Sequence, residues 1–258
     1  IRDPGFGIRD SPATASGVSA LPLTPHPSRN YETILTEQQL ARWLQKIAAS
    51  QLVSVDTETT SLDPLRARLV GVSLSIEPGV AAYIPLAHNY AGAPTQLGPD
   101  AVLEKLKSWL EDGRATKLGQ NLKYDMHVFA NHGVHLKGVA HDTLLESYVL
   151  ESHQPHGMDS LAARHLGVKT ITFEEVAGKG ANQIGFDQVA VERATEYAAE
   201  DADITLQLHR ALYPKIENDT KLAKIYHEIE LPVMAVLQTM ERHGVLLDAK
   251  LLDAQSRE

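Results

Sequence analysis

The chain has 258 residues, enough for one large or two modest domains with a sizeable core. Its 24 Lys and Arg against 33 Asp and Glu give a formal charge of −9, which excludes a surface that clings to phosphate throughout, so any nucleic-acid contact is local. The absence of cysteine excludes disulfides and thiolate metal sites and makes the cytosol the expected compartment, and no segment approaches the run of about eighteen apolar residues that spans a membrane.

Residues 1 to about 30 are rich in Pro, Gly and Ser without periodicity, which predicts a linker or poorly ordered lead-in. Asp3 and Pro4 stand where a signal peptide would be basic and apolar, and the first residue is Ile1 rather than Met, as expected of a piece of something longer. Thr36 followed by Gln39 has the pattern of a capping box, and Leu40, Trp43, Leu44 and Ile47 recur at helical spacing, predicting a helix to about Ala49. Strand-like runs follow at Leu52 to Asp56, Leu69 to Ile76 and Val80 to Leu86. The spacers between them hold Asp63-Pro64 and Pro78-Gly79, which suit the turns of an antiparallel meander.

A helix at about Pro99 to Glu111, a short strand at Thr116 to Leu118 and a helix opened by Asn121 come next, and this order predicts an α/β fold with a mixed sheet and helices on both faces. Further helices are expected at Asp142 to Glu151, Met158 to Leu166 and Asp187 to Leu212. From Asn218 an apolar pattern at helical spacing runs to His243-Gly244, and a new helix is starting where the chain stops at Glu258.

Within this frame some acids sit where apolar residues belong. Asp56 and Glu58 end the first strand two positions apart, so both carboxylates face one way. On the Asn121 helix Leu122, Met126 and Phe129 form the inward stripe, and Asp125 lies on it. On the Asp187 helix Asp201 joins the stripe of Ala194, Ala198, Ile204, Thr205 and Leu208, with Tyr197 one turn earlier. Carboxylates on core-facing stripes are costly unless something pairs with them. Four of them with no nearby excess of Lys or Arg point to shared divalent cations, with oxygen ligands that suit magnesium or manganese. Two ions about 3.5–4 Å apart favour in-line phosphoryl transfer.

Three weaker signals are set aside. His127, His132, His135 and His141 are expected in surface loops rather than around a metal, because no cysteine or clear second ligand pair accompanies them. Asp201-Ala-Asp203 lies mid-helix, unlike a loop DxD motif, and Gly178-Lys179-Gly180 lacks the Walker spacing. Thr172 and Glu175 form a capping-box pattern for a short helix before that loop.

The segments VDTETTSL, GQNLKYD and YAAEDAD resemble the three exonuclease motifs of the DEDD superfamily, in the subclass with Tyr four residues before the last Asp. LVGVSLSIEPGVAAYIPLAH, DTLLESYVL, MDSLAARHLG and KTITFEEVAGKG extend the resemblance to the proofreading domains of bacterial DNA polymerase I, over residues 32 to 258. The tail ELPVMAVLQTMERHGVLLD resembles the lead from that domain into the polymerase part. The resemblance implies a ribonuclease H-like fold followed by the start of a helical polymerase segment, with residues 1–31 as linker, 32–214 as 3′→5′ exonuclease and 215–258 as the beginning of the polymerase domain.

It further implies that Asp56, Glu58 and Asp201 hold one cation and Asp56, with Asp125 through water, a second. The ions would be Mg2+, with Mn2+ or Zn2+ as substitutes, and Tyr197 and Glu58 would orient the attacking water. Thr59, Leu62, Gln120, Asn121, Tyr124 and Phe173 would touch the terminal nucleotides, Leu62 and Phe173 packing on bases. The implied partners are a single-stranded DNA 3′ end and the polymerase and 5′ nuclease domains of the same parent chain, in a monomer without membrane contact, in the bacterial cytoplasm at the nucleoid. One departure is His153-Gln154-Pro155-His156, where the family often carries a phosphate-contacting Arg, and this implies altered substrate affinity. The rival expectations are an RNA-trimming relative of the ribonuclease D kind and a catalytically silent domain that braces the polymerase or binds single strands. Fluorescence anisotropy of this acidic chain with single-stranded DNA is expected to show weak binding that falls steeply with salt; nanomolar affinity at physiological salt would contradict it.

Overall fold

The computed structural model describes residues 29–257, so residues 1–28, expected as a lead-in, lie outside the described residues. A six-stranded mixed sheet in the order β1-β4-β3-β2-β5-β6 organises the domain. Its strands are β1 (Asn30–Thr33), β2 (Val53–Thr59), β3 (Leu69–Glu77), β4 (Val80–Pro85), β5 (Lys117–Gly119) and β6 (Val139–Asp142). Strands β2, β3 and β4 form the expected antiparallel meander, while β1 on β4, β5 on β2 and β6 on β5 are parallel.

One face of the sheet is covered by α1 (Glu37–Ala49), α2 (Pro99–Leu110) and α3 (Leu122–Asn131). Trp43 and Ile47, Leu106 and Leu110, and Val128 and Phe129 from these helices share a core with Val53, Val55, Val72 and Ile84. The Thr36–Gln39 capping box starts α1 as expected, with Gln39 N–H donating to the Thr36 hydroxyl and Thr36 N–H to the Gln39 side chain.

Against the opposite face lies α7 (Val191–Glu217), preceded by α4 (Thr143–Glu151), α5 (Met158–Leu161) and α6 (Phe173–Ala177). Ala194, Tyr197 and Ala198 of α7 pack with Val70, Tyr83 and Phe186, and farther along Ile204, Leu208 and Leu212 pack on Met158, Leu161 and Val168. The Thr172–Glu175 capping box is also present at α6. Helix α5 widens into a π-helical turn over Ala162–Leu166 that ends at Gly167 with φ 69, a conformation that favours glycine.

The expected helical tail is α8 (Thr220–Ile225), a π-helical turn at Tyr226–Glu230, α9 (Leu231–His243) and α10 (Ala249–Ser256). Helix α9 lies on α3, where Glu241 accepts from Lys123 Nζ and pairs with His127 Nε2 at 2.8 Å, and Arg242 donates to the His127 carbonyl and to Asn131 Oδ1. Among the described residues no helix is long and apolar enough to cross a membrane.

The structure departs from the expected elements in several places. Asn30 and Tyr31, counted with the lead-in, begin β1, and β6 was not expected at all. Both strands have four residues and little apolar character. Strand β1 is held by side chains on α7: Tyr31 Oη donates to Asp203 Oδ2 at 2.7 Å, and the Thr33 and Thr195 hydroxyls meet at 2.8 Å. Asp187 falls in a 3₁₀ turn before α7, which starts at Val191. The four histidines are not gathered in surface loops: His127 is buried on α3, His132 accepts from Leu69 N–H, His141 lies half-buried in β6, and only His135 is exposed.

Tyr83 sets a packing limit on β3. A Cβ at Gly71 would stand 2.2 Å from the Tyr83 hydroxyl, and that ring is fully buried with its hydroxyl 2.8 Å from His88 Nε2. Gly71→Ala is therefore expected to destabilise the fold by about 1–3 kcal/mol through overpacking. The urea midpoint should fall with the slope unchanged, and an unchanged midpoint would show that the ring yields.

Candidate active site

Strand β2 divides its side chains between the two faces of the sheet. Val53 and Val55 point into the α1–α3 core, while Asp56 and Glu58 point with Ser54 toward α7. Glu58 is opposite Gly71 and Asp56 opposite Ser73 on β3, and the register shifts between Glu58 and Thr59 as the strand leaves the sheet. Tyr197 and Asp201, one turn apart on α7, are both buried. As a result, one oxygen each of Asp56, Glu58 and Asp201 lies within 4.8 Å of the others. Glu58 and Asp201 are buried and Asp56 is half-buried, so the negative charge is concentrated where water screens it poorly. Nearby Tyr83 registers this: burial first, then the charges of Glu58 and Asp56, raise its phenol well above the ordinary value.

Asp125, on α3, feels the charge of Asp56 but stands outside that trio. Thr57, on the opposite face of β2 from Asp56, donates to Asp125 Oδ1 at 2.5 Å. Burial, and then the charge of Asp56, push the Asp125 carboxyl well above the usual carboxylate range, against the Thr57 hydrogen bond that lowers it. The helix that carries it starts at Asn121, whose φ of 62 is tolerated by asparagine better than by most residues with a Cβ.

Asp142 holds this start. Its carboxylate accepts from Asn121 N–H at 3.0 Å and Leu122 N–H at 2.7 Å, and also caps α4 through Leu144 N–H at 2.9 Å. One buried acid thus fixes two helix N-termini, where negative charge is favourable. Its place just before an apolar helical run made the α4 cap readable; its grip on α3, twenty residues back, is tertiary.

The expected substrate-side residues fall into three groups. Thr59 and Tyr124 meet hydroxyl to hydroxyl at 2.5 Å, and both turn to the Ser61 carbonyl beside exposed Leu62. Gln120 bonds the Thr143 hydroxyl and the His156 carbonyl, joining the start of α3 to the loop before α5; Asn121 is the next residue. Phe173 stands on the α7 side, stacked on Phe186 at 6.3 Å and edge-on to Tyr197 at 6.4 Å. Beyond Leu62, a groove lined by Arg66, Arg68, His132 and Arg242 supplies positive charge that composition alone did not disclose.

A family model described as 3′-5′ exonuclease matches residues 31–217. The chain belongs to this exonuclease family. Its sequence is 52% identical over 232 residues to DNA polymerase I of Pseudomonas aeruginosa, covering 89% of this chain and 25% of that protein. The chain thus spans about a quarter of the length of the curated relatives it matches.

In fold it is similar to the POL domain of Pol1 from M. smegmatis, with a TM-score of 0.68 at 24% identity, covering 86% of this chain and 34% of that one. It is also similar to Escherichia coli RNase D, described as an exoribonuclease involved in structured RNA processing, with a TM-score of 0.57 at 21% identity, covering 84% and 52%. At such identities the likeness is one of fold, and the ribonuclease D alternative is not favoured by it.

The raised Asp125 carboxyl has a consequence for stability. A folded-state value above the unfolded one means that protonation favours the folded chain; this stabilisation is present below the ordinary carboxylate range and lost as pH rises through the raised value. Asp125→Asn keeps an acceptor for Thr57 without the charge. In EDTA at about pH 8 it should be more stable than the parent, the gap closing as pH falls to the ordinary carboxylate range. Equal thermal melts at both pH values would refute the electrostatic account.

Proposed function

We propose that the chain removes nucleotides from DNA 3′ ends with two divalent cations, as the proofreading part of a DNA polymerase I. The observation that carries this reading is the convergence of Asp56, Glu58 and Asp201 within 4.8 Å from a strand tip and a helix that share one face of the sheet. The donor set is all carboxylate oxygen, which fits Mg2+ or Mn2+. Asp56, Glu58 and Asp201 would hold one ion, and Asp56, with Asp125 through water, the second. Cations bound there supply a lowered pKa for water and charge neutralisation at the leaving oxygen.

The chain's own residues then position the reactants. Tyr197, walled in by Phe173 and Phe186, and Glu58 orient a water in line with the terminal phosphodiester. The water oxygen bonds to phosphorus as the bond to the 3′ oxygen breaks, giving a shortened strand with a 3′ hydroxyl and a nucleoside 5′-monophosphate. Leu62 and Phe173 pack on bases, while Thr59, Gln120, Asn121 and Tyr124 contact the terminal nucleotides. Stacking accepts any base, as removal of an arbitrary 3′ end requires. The groove of Arg66, Arg68 and Arg242 gives an acidic chain a local path for phosphates.

In the parent protein, residues 32–214 act as exonuclease and residues 215–258 begin the polymerase domain, with a 5′ nuclease domain ahead of the linker. Support for a polymerase neighbour comes from the tail, where Val236, Met240, Leu246, Leu247 and Leu251 are exposed. The protein works as a monomer in the bacterial cytoplasm, at the nucleoid.

Digestion of 5′-labelled single-stranded DNA should give a ladder shortening from the 3′ end with Mg2+ and none with EDTA. Asp201→Ala should lower the rate by about 10³-fold or more, since the ion's role is worth several kcal/mol. No ladder with any divalent ion would favour the silent, bracing alternative, and faster digestion of RNA than of DNA would favour an RNA-trimming enzyme.

A further inference from the structure

A second group of ligating side chains lies farther along α7. His141 of β6, Glu146 in the first turn of α4 and His209 of α7 each offer one atom within 4.8 Å of the others. His209 Nδ1 is 2.7 Å from Glu146 Oε1 and His141 Nδ1 is 3.5 Å from the same oxygen, with the two imidazole rings 4.1 Å apart. Around a tetrahedral zinc ion with bonds near 2.0–2.1 Å, neighbouring ligand atoms stand about 3.3 Å apart, between these two separations. Glu146 is fully buried, its Oε2 has no hydrogen-bond partner among the described residues, and the buried His141 Nδ1 makes only the long 3.5 Å contact to Glu146 Oε1. One unsatisfied and one weakly satisfied buried atom in a single cluster suit a ligand that accepts their lone pairs.

We propose that His141, Glu146 and His209 bind a zinc ion that fastens β6 and α4 to α7, separate from the exonuclease centre. His209 is eight residues beyond Asp201, about 12 Å along the helix axis at 1.5 Å per residue, so the two sites do not share a ligand. Two imidazole nitrogens and one carboxylate oxygen are a recurrent zinc donor set, whereas the all-oxygen trio suits Mg2+. Burial lowers both imidazoles, His209 to about 4, so at neutral pH they are uncharged and able to ligate. Tyr226 borders the remaining position, its hydroxyl 3.4 Å from Glu146 Oε1 while accepting from Asp142 N–H at 3.0 Å. Asp142 also fixes the start of α3, so the ion would stiffen the floor on which α8 and α3 both rest.

The test uses the chain with Asp56→Ala and Asp201→Ala, which removes the exonuclease trio as a competing site. Stripped with chelator and titrated with Zn2+, it should bind one equivalent, and its Tm should rise by about 5–10 °C at a hundredfold excess over Kd. Excess Mg2+ should not displace the ion, and Co2+ should give the visible absorption of a four-coordinate site. His141→Phe, which keeps an aromatic ring, and Glu146→Gln, which keeps the shape, should each weaken zinc binding by about a hundredfold or more. Should the phenylalanine variant fail to fold, Glu146→Gln decides. No saturable zinc binding, or binding undiminished in a folded variant, would overturn the proposal and leave a metal-free Glu146–His209 hydrogen bond.

Discussion

Gathering like charges in a place that water reaches poorly is the constraint on which the rest of this domain depends. Asp56 and Glu58 share one face of β2, and Asp201 meets them from α7. Mutual repulsion in this arrangement works against folding, so the elements around it must be rigid enough to hold it. The sheet supplies that rigidity on one side, through the pairing of Glu58 with Gly71 and of Asp56 with Ser73. Helix α7 supplies it on the other, as a 27-residue element buried along much of its length. Under the proposed function, cation affinity and the cost of holding the acids together would have one origin, and substitutions that relieve repulsion would remove the site with it.

Asp125 follows the same logic by a different route. It is bound to the far face of β2 through Thr57, and its helix is started by Asp142 rather than by its own N-cap residue. The position of one carboxylate therefore depends on a second, Asp142, which is buried and hydrogen-bonded to the starts of two helices. The helical tail adds to this from outside, where Glu241 and Arg242 of α9 hold Lys123, His127 and Asn131 on α3.

The meander, α1 and the acid-bearing helices were readable because each has a local cause. Val53 and Val55 alternate with polar residues, Thr36 and Gln39 cap reciprocally, and Asp125 and Asp201 interrupt otherwise apolar stripes. Strands β1 and β6 were not, since Asn30–Thr33 and Val139–Asp142 lack a periodic apolar signal and exist by pairing with β4 and β5. The histidines were misplaced for a related reason: His127 is buried and paired by α9, more than a hundred residues later, and no spacing within its own segment records that. The convergence of Asp56, Glu58 and Asp201 was legible as a pattern of misplaced acids. The standing of Asp125 outside the trio was not, because it is set by Thr57 across the sheet.

Strand β1 gives the domain a mechanical property. Its parallel ladder with β4 would be loaded in shear by tension along the chain ahead of it, the direction in which many hydrogen bonds resist together. The side chains carry that load onward: Arg29 is 2.7 Å from Glu200, Tyr31 is bonded to Asp203, and Thr33 to Thr195. These anchors bracket Tyr197 and Asp201 on α7. A pull on the strand's leading end is thus delivered to the helix that closes the carboxylate cluster, making β1 a line of force to that cluster.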